Sequence, residues 1–346
     1  MKSVSAAGGS GGHLYPGLAL AEHLKNNMDC HITLIKSNKE IENMIVNNSV
    51  YIDEIINLDV IGLHRKLIYK NILTFYKLLF SFLKSKKVLR KISPDAVIGM
   101  GGYVSFPVLI SASKYRTFIH EQNVIPGLVN RILSKFVDYV LVSFEESKEN
   151  FKRDAFLTKN PRVLELSPTK SFSNRILIVG GSQGSKVIND AVIEQYNKLK
   201  NRDITLVTGP RYYADVIKEI SDTNSFKIVS YLNNFIEELT HSKLIVCRAG
   251  ATTISEIIEL EKPSILIPSS YVVNDHQTYN AKVLSKNKAG ILLEESKIGT
   301  LSELISELTV KDEESMKKNL TKIKNRDYLD IVTIIKEGIE FEDEHK

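Results

Sequence analysis

Two glycine-rich turns, one near the start of each half of the chain, are the first candidates for chemistry. Gly8-Gly9-Ser10-Gly11-Gly12 and Gly180-Gly181-Ser182-Gln183-Gly184 each follow an aliphatic run and precede a helical pattern. Such a turn leaves backbone N–H groups at the positive end of a helix dipole, where a phosphate or a developing oxyanion binds. Glycines there can also serve close packing alone. Neither turn matches the nucleotide-kinase or the dinucleotide-binding pattern in full, which makes an oxidoreductase the weaker interpretation.

His13 ends the first glycine turn and is the candidate general base. An imidazole titrates near neutral pH, so it can take a proton from a substrate hydroxyl. Pro16 is expected to start a helix over Gly17–Lys25, which would leave His13 at a loop tip. Taken alone, the residue is also compatible with a histidine that only packs at a helix start.

The elements that must position these residues follow a simple alternation. Short aliphatic runs alternate with helix-length amphipathic segments, which predicts parallel sheets with crossover helices. The glycine turns open two similar domains of this doubly wound α/β type, with a hinge over 158–174. Strands are predicted at 2–7, 31–37, 96–100, 116–120 and 139–143, and then at 175–181, 203–209, 226–232, 243–250, 263–269 and 290–295.

Composition excludes several classes of protein. The chain has 346 residues, of which 43% are hydrophobic and 25% charged, so it is neither disordered nor fibrous. Its longest lipophilic stretch, 67–83, is interrupted by polar residues, and the N-terminus lacks the apolar centre of a signal peptide. Two cysteines are too few for a disulfide scaffold or a Cys-rich metal site. We therefore expect a cytoplasmic protein.

Charge is distributed unevenly along the chain. Residues 1–162 hold 22 Lys and Arg against 14 Asp and Glu, whereas the remainder holds 24 against 27. Within the first half, 60–94 contains nine basic residues and no acidic one. This asymmetry indicates that the first half faces something anionic.

Six motifs, in order and spacing, make the sequence specific. They are GGSGGHLYPGLALAEHL (8–24), GMGGYVSFP (99–107), IHEQNVIPGLVNR (119–131), GGSQGS (180–185), CRAGATTISE (247–256) and HQTYNA (276–281). Together they closely resemble the MurG family of peptidoglycan N-acetylglucosaminyltransferases, in glycosyltransferase family 28. The resemblance implies the GT-B fold, in which two Rossmann-like, doubly wound parallel-sheet domains face a nucleotide-sugar cleft. The domains expected are 1–162 and 163–325, with a C-terminal helix at about 326–346 packing back on the first.

The resemblance also implies the reaction. Family members move GlcNAc from UDP-GlcNAc to the C4 hydroxyl of the muramyl sugar of lipid I, forming lipid II with inversion at the anomeric carbon. An inverting transfer needs a base on the acceptor side and charge stabilisation on the UDP side. Two alternatives remain open: a related GT-B enzyme for another lipid acceptor, and a non-catalytic membrane-docked scaffold.

In the first domain, the resemblance makes His13 the base. It places Ser10, Gly11 and Gly12 beside the reacting region, and it gives Asn123 a contact with the GlcNAc or the acceptor sugar. Arg162 falls in a substrate-binding segment. The acceptor diphosphate is expected at a third glycine turn, with Gly101, Gly102, Tyr103 and Ser105. His120 and Glu121 are expected only to fix their loop.

In the second domain, Ser182, Gln183 and Gly184 would hold the diphosphate at a helix start. Glu256 would accept hydrogen bonds from both ribose hydroxyls, on a helix capped by Thr252 or Thr253. Gln277 would contact the GlcNAc ring, and Asn280 belongs to the same motif. Amide side chains suit sugar hydroxyls because they both donate and accept hydrogen bonds. Arg248, Gly250 and Ala251 would lie beside the nucleotide, although Arg248 alone is compatible with a surface arginine.

Three positions depart from the family pattern. Phe106 stands where a small residue is usual, which would narrow the acceptor pocket. The segment Asn160-Pro161-Arg162 is one residue short, which puts the role of Arg162 in doubt. Ser10 replaces the usual threonine, a mild change. No Asp-x-Asp pair lies at a strand end, so we expect neither a metal nor another cofactor in the chemistry.

The segment 62–91 is expected to dock the first domain on an anionic membrane. On a helix, its polar positions form one basic stripe, and the remaining arc is apolar and wide enough to reach lipid. The stripe consists of Lys66, Lys70, Thr74, Lys77, Ser81 and Lys84. The alternative is an ordinary packed helix with a solvated lysine face. The partners expected are UDP-GlcNAc, lipid I, the anionic cytoplasmic face of the cell membrane, where the protein would be peripheral, and other cell-wall synthesis enzymes, but no nucleic acid.

Overall fold

A computed structural model gives the fold and describes residues 1–9, 11–46, 49–62, 71–168, 173–271 and 275–343. The chain divides into two compact units. The first comprises residues 1–164 together with 327–346, and the second comprises residues 165–326. The return of the C-terminal segment to the first unit makes that unit discontinuous in sequence. Ser10, Lys66 and Lys70 lie outside the described residues.

The first unit is built on a seven-stranded parallel sheet in the order β3-β2-β1-β4-β5-β6-β7. Its central strands are almost wholly buried, because helices cover both faces of a parallel sheet. The sequences of such strands therefore tend to be continuous aliphatic runs. The strands are β1 (Lys2–Ala6), β2 (His31–Ser37), β3 (Glu54–Leu58), β4 (Ala96–Gly99), β5 (Arg116–Glu121), β6 (Tyr139–Val142) and β7 (Phe156–Leu157). The helices are α1 (Gly11–Asn27), α2 (Glu40–Val46), α3 (Asn71–Ile92), α4 (Gly102–Ile110), α5 (Leu128–Leu133) and, at the C-terminus, α14 (Ile331–Asp343).

The second unit repeats the scheme on a six-stranded parallel sheet in the order β10-β9-β8-β11-β12-β13. Its strands are β8 (Ile176–Val179), β9 (Ile204–Val207), β10 (Phe226–Val229), β11 (Leu244–Cys247), β12 (Ser264–Leu266) and β13 (Ile291–Leu292). Its helices are α6 (Lys186–Glu194), α7 (Tyr196–Leu199), α8 (Tyr213–Glu219), α9 (Phe235–His241), α10 (Ala251–Glu259), α11 (His276–Lys286), α12 (Leu301–Glu307) and α13 (Val310–Lys324). The predicted α/β class with two parallel sheets is confirmed.

Every strand predicted from the aliphatic runs is present, but β3 and β7 were not predicted. β3 is an edge strand whose side chains are mostly exposed, so its sequence lacks the buried run that marks the other strands. β7 has only two residues, too few to give a pattern. Both are specified by their pairing with a neighbouring strand rather than by their own composition.

The predicted start of the first helix was wrong. Helix α1 begins at Gly11 and contains Pro16, so His13 lies in its first turn rather than at a loop tip. Pro16 lacks an N–H and cannot donate to the Gly12 carbonyl four residues earlier. Because that loss falls near the helix start, it removes one bond without ending the helix.

Helix α3 is oriented differently from the predicted basic stripe. Thr74 and Ser81, two members of that stripe, are buried against the domain. Lys77 lies at the edge of this buried face and donates to Asp59 over 2.9 Å, and Lys84 donates to the Asn57 carbonyl over 2.8 Å. Within the described part of the helix, Thr74 and Ser81 therefore face the domain, whereas Lys77 and Lys84 lie along the edge of that face and Lys84 stays exposed. The stripe is thus only partly a solvated lysine face.

The outward face of α3 is apolar. Tyr76, Leu79, Phe80 and Leu83 are each more than half exposed, and their spacing of three and four residues places them on one side of the helix. We call these four residues the α3 apolar face. Among the helices within the described ranges, none combines the length and apolarity that a bilayer crossing requires.

The C-terminal helix α14 completes the core of the first unit. Ile331 and Ile335 are buried in the same cluster as residues of α1 and β4. Gly338 faces two rings of the sheet: a Cβ atom there would lie 2.9 Å from Phe118 and 3.0 Å from Tyr139. These rings stack with centroids 4.8 Å apart, so neither can move without disturbing the other.

Replacing Gly338 by valine is expected to destabilise the first unit by about 1–3 kcal/mol, because the added atoms overpack a filled contact. The measurement is the urea midpoint followed by circular dichroism. Glu337→Val, at an exposed position of the same helix, is the matched control and should leave the midpoint nearly unchanged. Equal midpoints for both variants would contradict this packing of α14.

Candidate active site

Each sheet has one place where the strand order reverses. In the first unit β1 lies between β2 and β4, and in the second β8 lies between β9 and β11. Loops that leave neighbouring strands in opposite directions open a crevice at the carboxyl ends of the strands, where ligands of doubly wound folds bind. His13 follows β1 and the Gly101-Gly102 turn follows β4, whereas the Gly180–Gly184 turn and Arg248 follow β8 and β11. The predicted motifs thus gather at these two switch points.

The imidazole of His13 lies against the third glycine turn. A Cβ atom on Gly101 would lie 3.0 Å from Cε1 of His13, and one on Gly102 would lie 3.3 Å from its Cδ2. Both glycines have positive φ, +94° and +76°, and a Cβ on Gly102 would also lie 2.3 Å from the Gly8 carbonyl oxygen. Only glycine fits both the backbone conformation and the space. The turn expected to hold the acceptor diphosphate is therefore also the seat of the His13 ring.

Gln122 contacts the same ring. Nδ1 of half-buried His13 lies 3.2 Å from Oε1 of Gln122, whose side chain is buried. Gln122 was not among the residues predicted from the sequence. Its position between His120-Glu121 and Asn123, just after β5, was the signal that marked it as facing the carboxyl edge of the sheet.

The first glycine loop is held by residues at and just before α2. The Gly9 N–H donates to Oε1 of Glu42 over 2.7 Å, and the Ser37 hydroxyl donates to the same oxygen over 2.6 Å. Lys39 donates to the Gly9 carbonyl over 3.2 Å. Because Glu42 is buried and satisfies the Gly9 amide, this part of the loop is occupied by an internal carboxylate, which disfavours an anion beside it. Gly11 and Gly12, half-buried and exposed respectively, form the start of α1.

Ser105 and Tyr103 differ in accessibility. Ser105 is fully buried, and its hydroxyl lies 2.8 Å from the Gly101 carbonyl and 3.0 Å from that of Ala6. The expected contact between this hydroxyl and an acceptor is therefore corrected: Ser105 supports the glycine turn from within. Tyr103 is 37% exposed, and its ring packs on Gly62.

The loop after β5 is fixed by Glu121. Its carboxylate accepts hydrogen bonds from the backbone N–H groups of Asn123 and Gly127 and from the side-chain amides of Asn123 and Asn130. Asn123 remains half-buried at the carboxyl edge of the sheet. Arg162 lies over the ring of Tyr15 at 5.7 Å, in the short 3₁₀ helix that packs on α1.

His120 is buried in the same region. Desolvation lowers its pKa from 6.5 to about 4, and a hydrogen bond with the Lys159 backbone opposes this shift only in part. Its Nδ1 lies 3.1 Å from Nε2 of Gln122. His120 is thus a neutral imidazole within the support of the site.

The second glycine turn has an exposed tip and a tightly packed base. Ser182 and Gln183 are exposed. Gly184, with φ +78°, lies so close to β9 that a Cβ would fall 2.1 Å from the Thr208 carbonyl oxygen. Ser185 then caps α6 by accepting from the Ile188 N–H over 3.4 Å. The tip is thereby held at the N-terminus of α6, as an anion site requires.

Arg248 is not a surface residue. Its side chain is 12% exposed, donates to the Ser185 hydroxyl over 2.7 Å and to the Ile267 carbonyl over 3.1 Å, and pairs with Glu295 at 2.6 Å. Burial would raise the pKa of Glu295, but hydrogen bonds from Ser270 and Arg248 outweigh it, so the pKa is lowered. Arg248 therefore ties the cap of α6 to β12 and to the segment that follows β13.

Helix α10 begins two residues earlier than a Thr252 cap would give, and three earlier than a Thr253 cap. Gly250, in extended conformation, is the N-cap, Ala251 is the first helical residue, and neither Thr252 nor Thr253 caps the helix. An N-cap needs non-helical φ/ψ, and both threonines already lie within the helix. Glu256 follows in the second turn, with its side chain buried.

Helix α11 supplies the two predicted amides in different roles. The Oε1 atom of half-buried Gln277 accepts from the Ser269 N–H over 2.9 Å. Asn280 is fully buried and donates to the Ala249 carbonyl over 3.2 Å. The expected sugar contact is therefore corrected for Asn280, which joins α11 to the turn before α10.

Comparison with known proteins assigns the family. The Glycosyltransferase family 28 N-terminal domain matches residues 4–142, and the Glycosyltransferase family 28 C-terminal domain matches residues 175–331. The chain belongs to glycosyltransferase family 28. A similar relative from Caldanaerobacter subterraneus subsp. tengcongensis is 39% identical over 312 residues, covering 84% of this chain and 85% of that protein. A second relative, from Clostridioides difficile, is 39% identical over 321 residues, covering 86% of this chain and 78% of that protein.

Both family 28 relatives are named UDP-N-acetylglucosamine--N-acetylmuramyl-(pentapeptide) pyrophosphoryl-undecaprenol N-acetylglucosamine transferase. Among solved structures, MurG of Acinetobacter baumannii matches with a TM-score of 0.76 at 22% identity, covering 99% of each chain. A UDP-N-acetylglucosamine 2-epimerase matches with a TM-score of 0.67 at 14% identity, covering 100% and 97%. These structures share the fold. The predicted family and GT-B architecture are confirmed, and the chain is a glycosyltransferase.

The buried state of His120 predicts a pH dependence of stability. Between about pH 4 and 6.5 the unfolded chain binds a proton at His120 that the folded chain does not, so this residue makes the free energy of unfolding rise with pH. The slope is at most about 1.4 kcal/mol per pH unit. Urea unfolding of the parent and of His120→Gln across this range should give a shallower rise in the variant. Parallel curves would contradict the assignment.

Proposed function

We propose that this glycosyltransferase transfers GlcNAc from UDP-GlcNAc to the C4 hydroxyl of the muramyl sugar of lipid I, with inversion, to form lipid II. The names of relatives up to 39% identical over most of the chain support this donor and this acceptor. The observation that carries the mechanism is the position of His13. It is a half-buried histidine at the switch point of the first sheet, seated on a glycine turn and hydrogen-bonded at Nδ1.

His13 acts as the general base. As the acceptor hydroxyl attacks the anomeric carbon, its proton passes to the imidazole, the new C–O bond forms, and the bond from the sugar to UDP breaks. The electron pair of that bond leaves with the diphosphate of UDP. Attack from the face opposite the leaving group inverts the configuration at the anomeric carbon.

The second unit binds the donor. Backbone N–H groups at the start of α6, with Ser182 and Gln183, stabilise the charge that grows on the diphosphate. Arg248 acts through Ser185, by holding the cap of α6, rather than as a surface cation. Glu256 accepts from the ribose hydroxyls, Gly250 and Ala251 lie beside the nucleotide, and Gln277 contacts the GlcNAc ring. In the first unit, Asn123 and Tyr103 contact the acceptor, and Arg162 lies over the ring of Tyr15 on α1.

Replacing His13 by alanine is expected to lower kcat by about 10²–10⁴, because general-base catalysis is lost, and to leave UDP affinity nearly unchanged. The measurements are turnover with UDP-GlcNAc and a lipid I analogue, and calorimetry with UDP. His23→Ala, ten residues further along α1, is the control and should keep kcat within about threefold. A His13→Ala protein with the same kcat as this control would remove His13 from the mechanism.

The α3 apolar face docks the protein on the lipid surface that carries its acceptor. Four large apolar side chains are exposed there, and basic residues follow them on the same helix: Lys84, Lys86, Lys87, Arg90 and Lys91. Apolar insertion combined with basic residues near anionic headgroups gives reversible binding that depends on salt. The location proposed is the cytoplasmic face of the cell membrane, with peripheral attachment.

The double variant Leu79→Ser/Phe80→Ser is expected to weaken vesicle binding by about tenfold or more, since two inserted apolar side chains are lost. Co-sedimentation with vesicles of 30% phosphatidylglycerol, at about 0.05 and 0.5 M salt, measures it. Ile217→Ser, at an exposed apolar position of α8, is the matched control. If the double variant binds like this control, the α3 apolar face is not the docking surface.

A further inference from the structure

The hydrogen bonds of Gln122 determine which way its amide points. Nε2 donates to the Met100 carbonyl over 3.2 Å and to the His120 carbonyl over 3.0 Å. Carbonyl oxygens only accept, so the NH₂ group must occupy that side of the amide. The opposite atom, Oε1, therefore faces His13.

His120 reinforces this orientation. Its Nδ1 lies 3.1 Å from the same Nε2 atom, and its imidazole, with a pKa of about 4, is neutral at working pH. The NH₂ group has two hydrogens, so Nδ1 of His120 shares one of them with the two carbonyl oxygens. A third acceptor on this side again keeps the NH₂ group turned away from His13.

We infer that Gln122 is a positioning residue that holds His13 in the Nδ1–H tautomer, so that Nε2 carries the lone pair that takes the substrate proton. Oε1 is an acceptor, so the His13 nitrogen 3.2 Å away must be the donor. This inference rests on the proposed function for the role of His13 as base. The tautomer itself is a property of the protein without substrate.

The glycine seat and Gln122 restrain different motions of the ring. The backbone at Gly101 and Gly102 lies so close to the ring that an added Cβ atom would touch Cε1, Nδ1 or Cδ2, and this limits how far the imidazole can tilt. The hydrogen bond to Gln122 fixes the rotation of the ring about the Cβ–Cγ bond, because a flipped imidazole would place Cδ2 instead of Nδ1 against Oε1. A base that is already oriented toward the substrate hydroxyl does not have to reorient before the proton is transferred.

Two substitutions separate positioning from a merely structural role. Gln122→Glu and Gln122→Met both remove the NH₂ group that ties Met100 and His120 together. Glutamate, protonated or ionised, still presents an acceptor to Nδ1 of His13, whereas methionine presents none. If Gln122 only supports the fold, the two variants are equally affected. If it fixes the tautomer, only methionine changes the state of His13.

The test is the ¹⁵N spectrum of imidazole-labelled protein at pH 8.5, where an ordinary imidazole is neutral, with His13→Gln to assign the signals. We expect Nδ1–H in the parent and in Gln122→Glu, and a mixture or the Nε2–H form in Gln122→Met. Asn130→Ala, which loosens the same loop without touching Nδ1, should keep the parent tautomer. A parent protein in the Nε2–H form overturns the inference even if the methionine variant fails to fold.

Kinetics give an independent readout. Gln122→Met should lose about tenfold or more in kcat with donor KM within about twofold, because a misoriented base affects the chemical step and not donor binding. Gln122→Glu should recover most of this loss. Equal losses in both variants would overturn the inference. A normal tautomer in a protein that does not need His13 for turnover would instead contradict the proposed function alone.

Discussion

The close approach of the His13 imidazole to Gly101 and Gly102 is the constraint on which the first site depends. It exists because β1 and β4 are neighbours in the sheet, so that the turns leaving them meet at one edge. Ser105 and Asn130 hold the glycine turn and the adjoining loop from within, and Glu42 holds the loop before His13. In our account these buried polar residues together fix the position of Nε2 of His13.

The second unit uses the same topology for a different purpose. There the glycine turn packs against β9 through Gly184, and Arg248 reaches across from the end of β11 to the cap of α6. The result is a firmly held N-terminus of α6 with an exposed glycine turn, which suits an anion. The first unit instead presents a base at its switch point. In our account one kind of switch point thus serves proton transfer in one domain and charge stabilisation in the other.

Much of the architecture could be predicted from the sequence, because buried parallel strands and glycine turns carry strong local signals. Edge strand β3 could not, since its exposed side chains resemble a loop. The orientation of α3 could not either: Lys77 and Lys84 satisfy partners at Asp59 and Asn57, which only the folded chain brings near. Burial likewise separates Asn280 from Gln277, two amides three residues apart whose sequence context is the same. Gln122 was not predicted because glutamine is not itself a catalytic residue type, and its only signal is its position just after β5.

The product of the reaction is the most direct test of the proposed inverting transfer to the muramyl C4 hydroxyl. The purified protein would be incubated with UDP-GlcNAc and a soluble lipid I analogue, and the product would be analysed by NMR spectroscopy. We predict a β1→4-linked GlcNAc–MurNAc disaccharide, formed in equal amount to UDP. An α-linked product, a linkage to another hydroxyl, or UDP released without disaccharide would contradict the account.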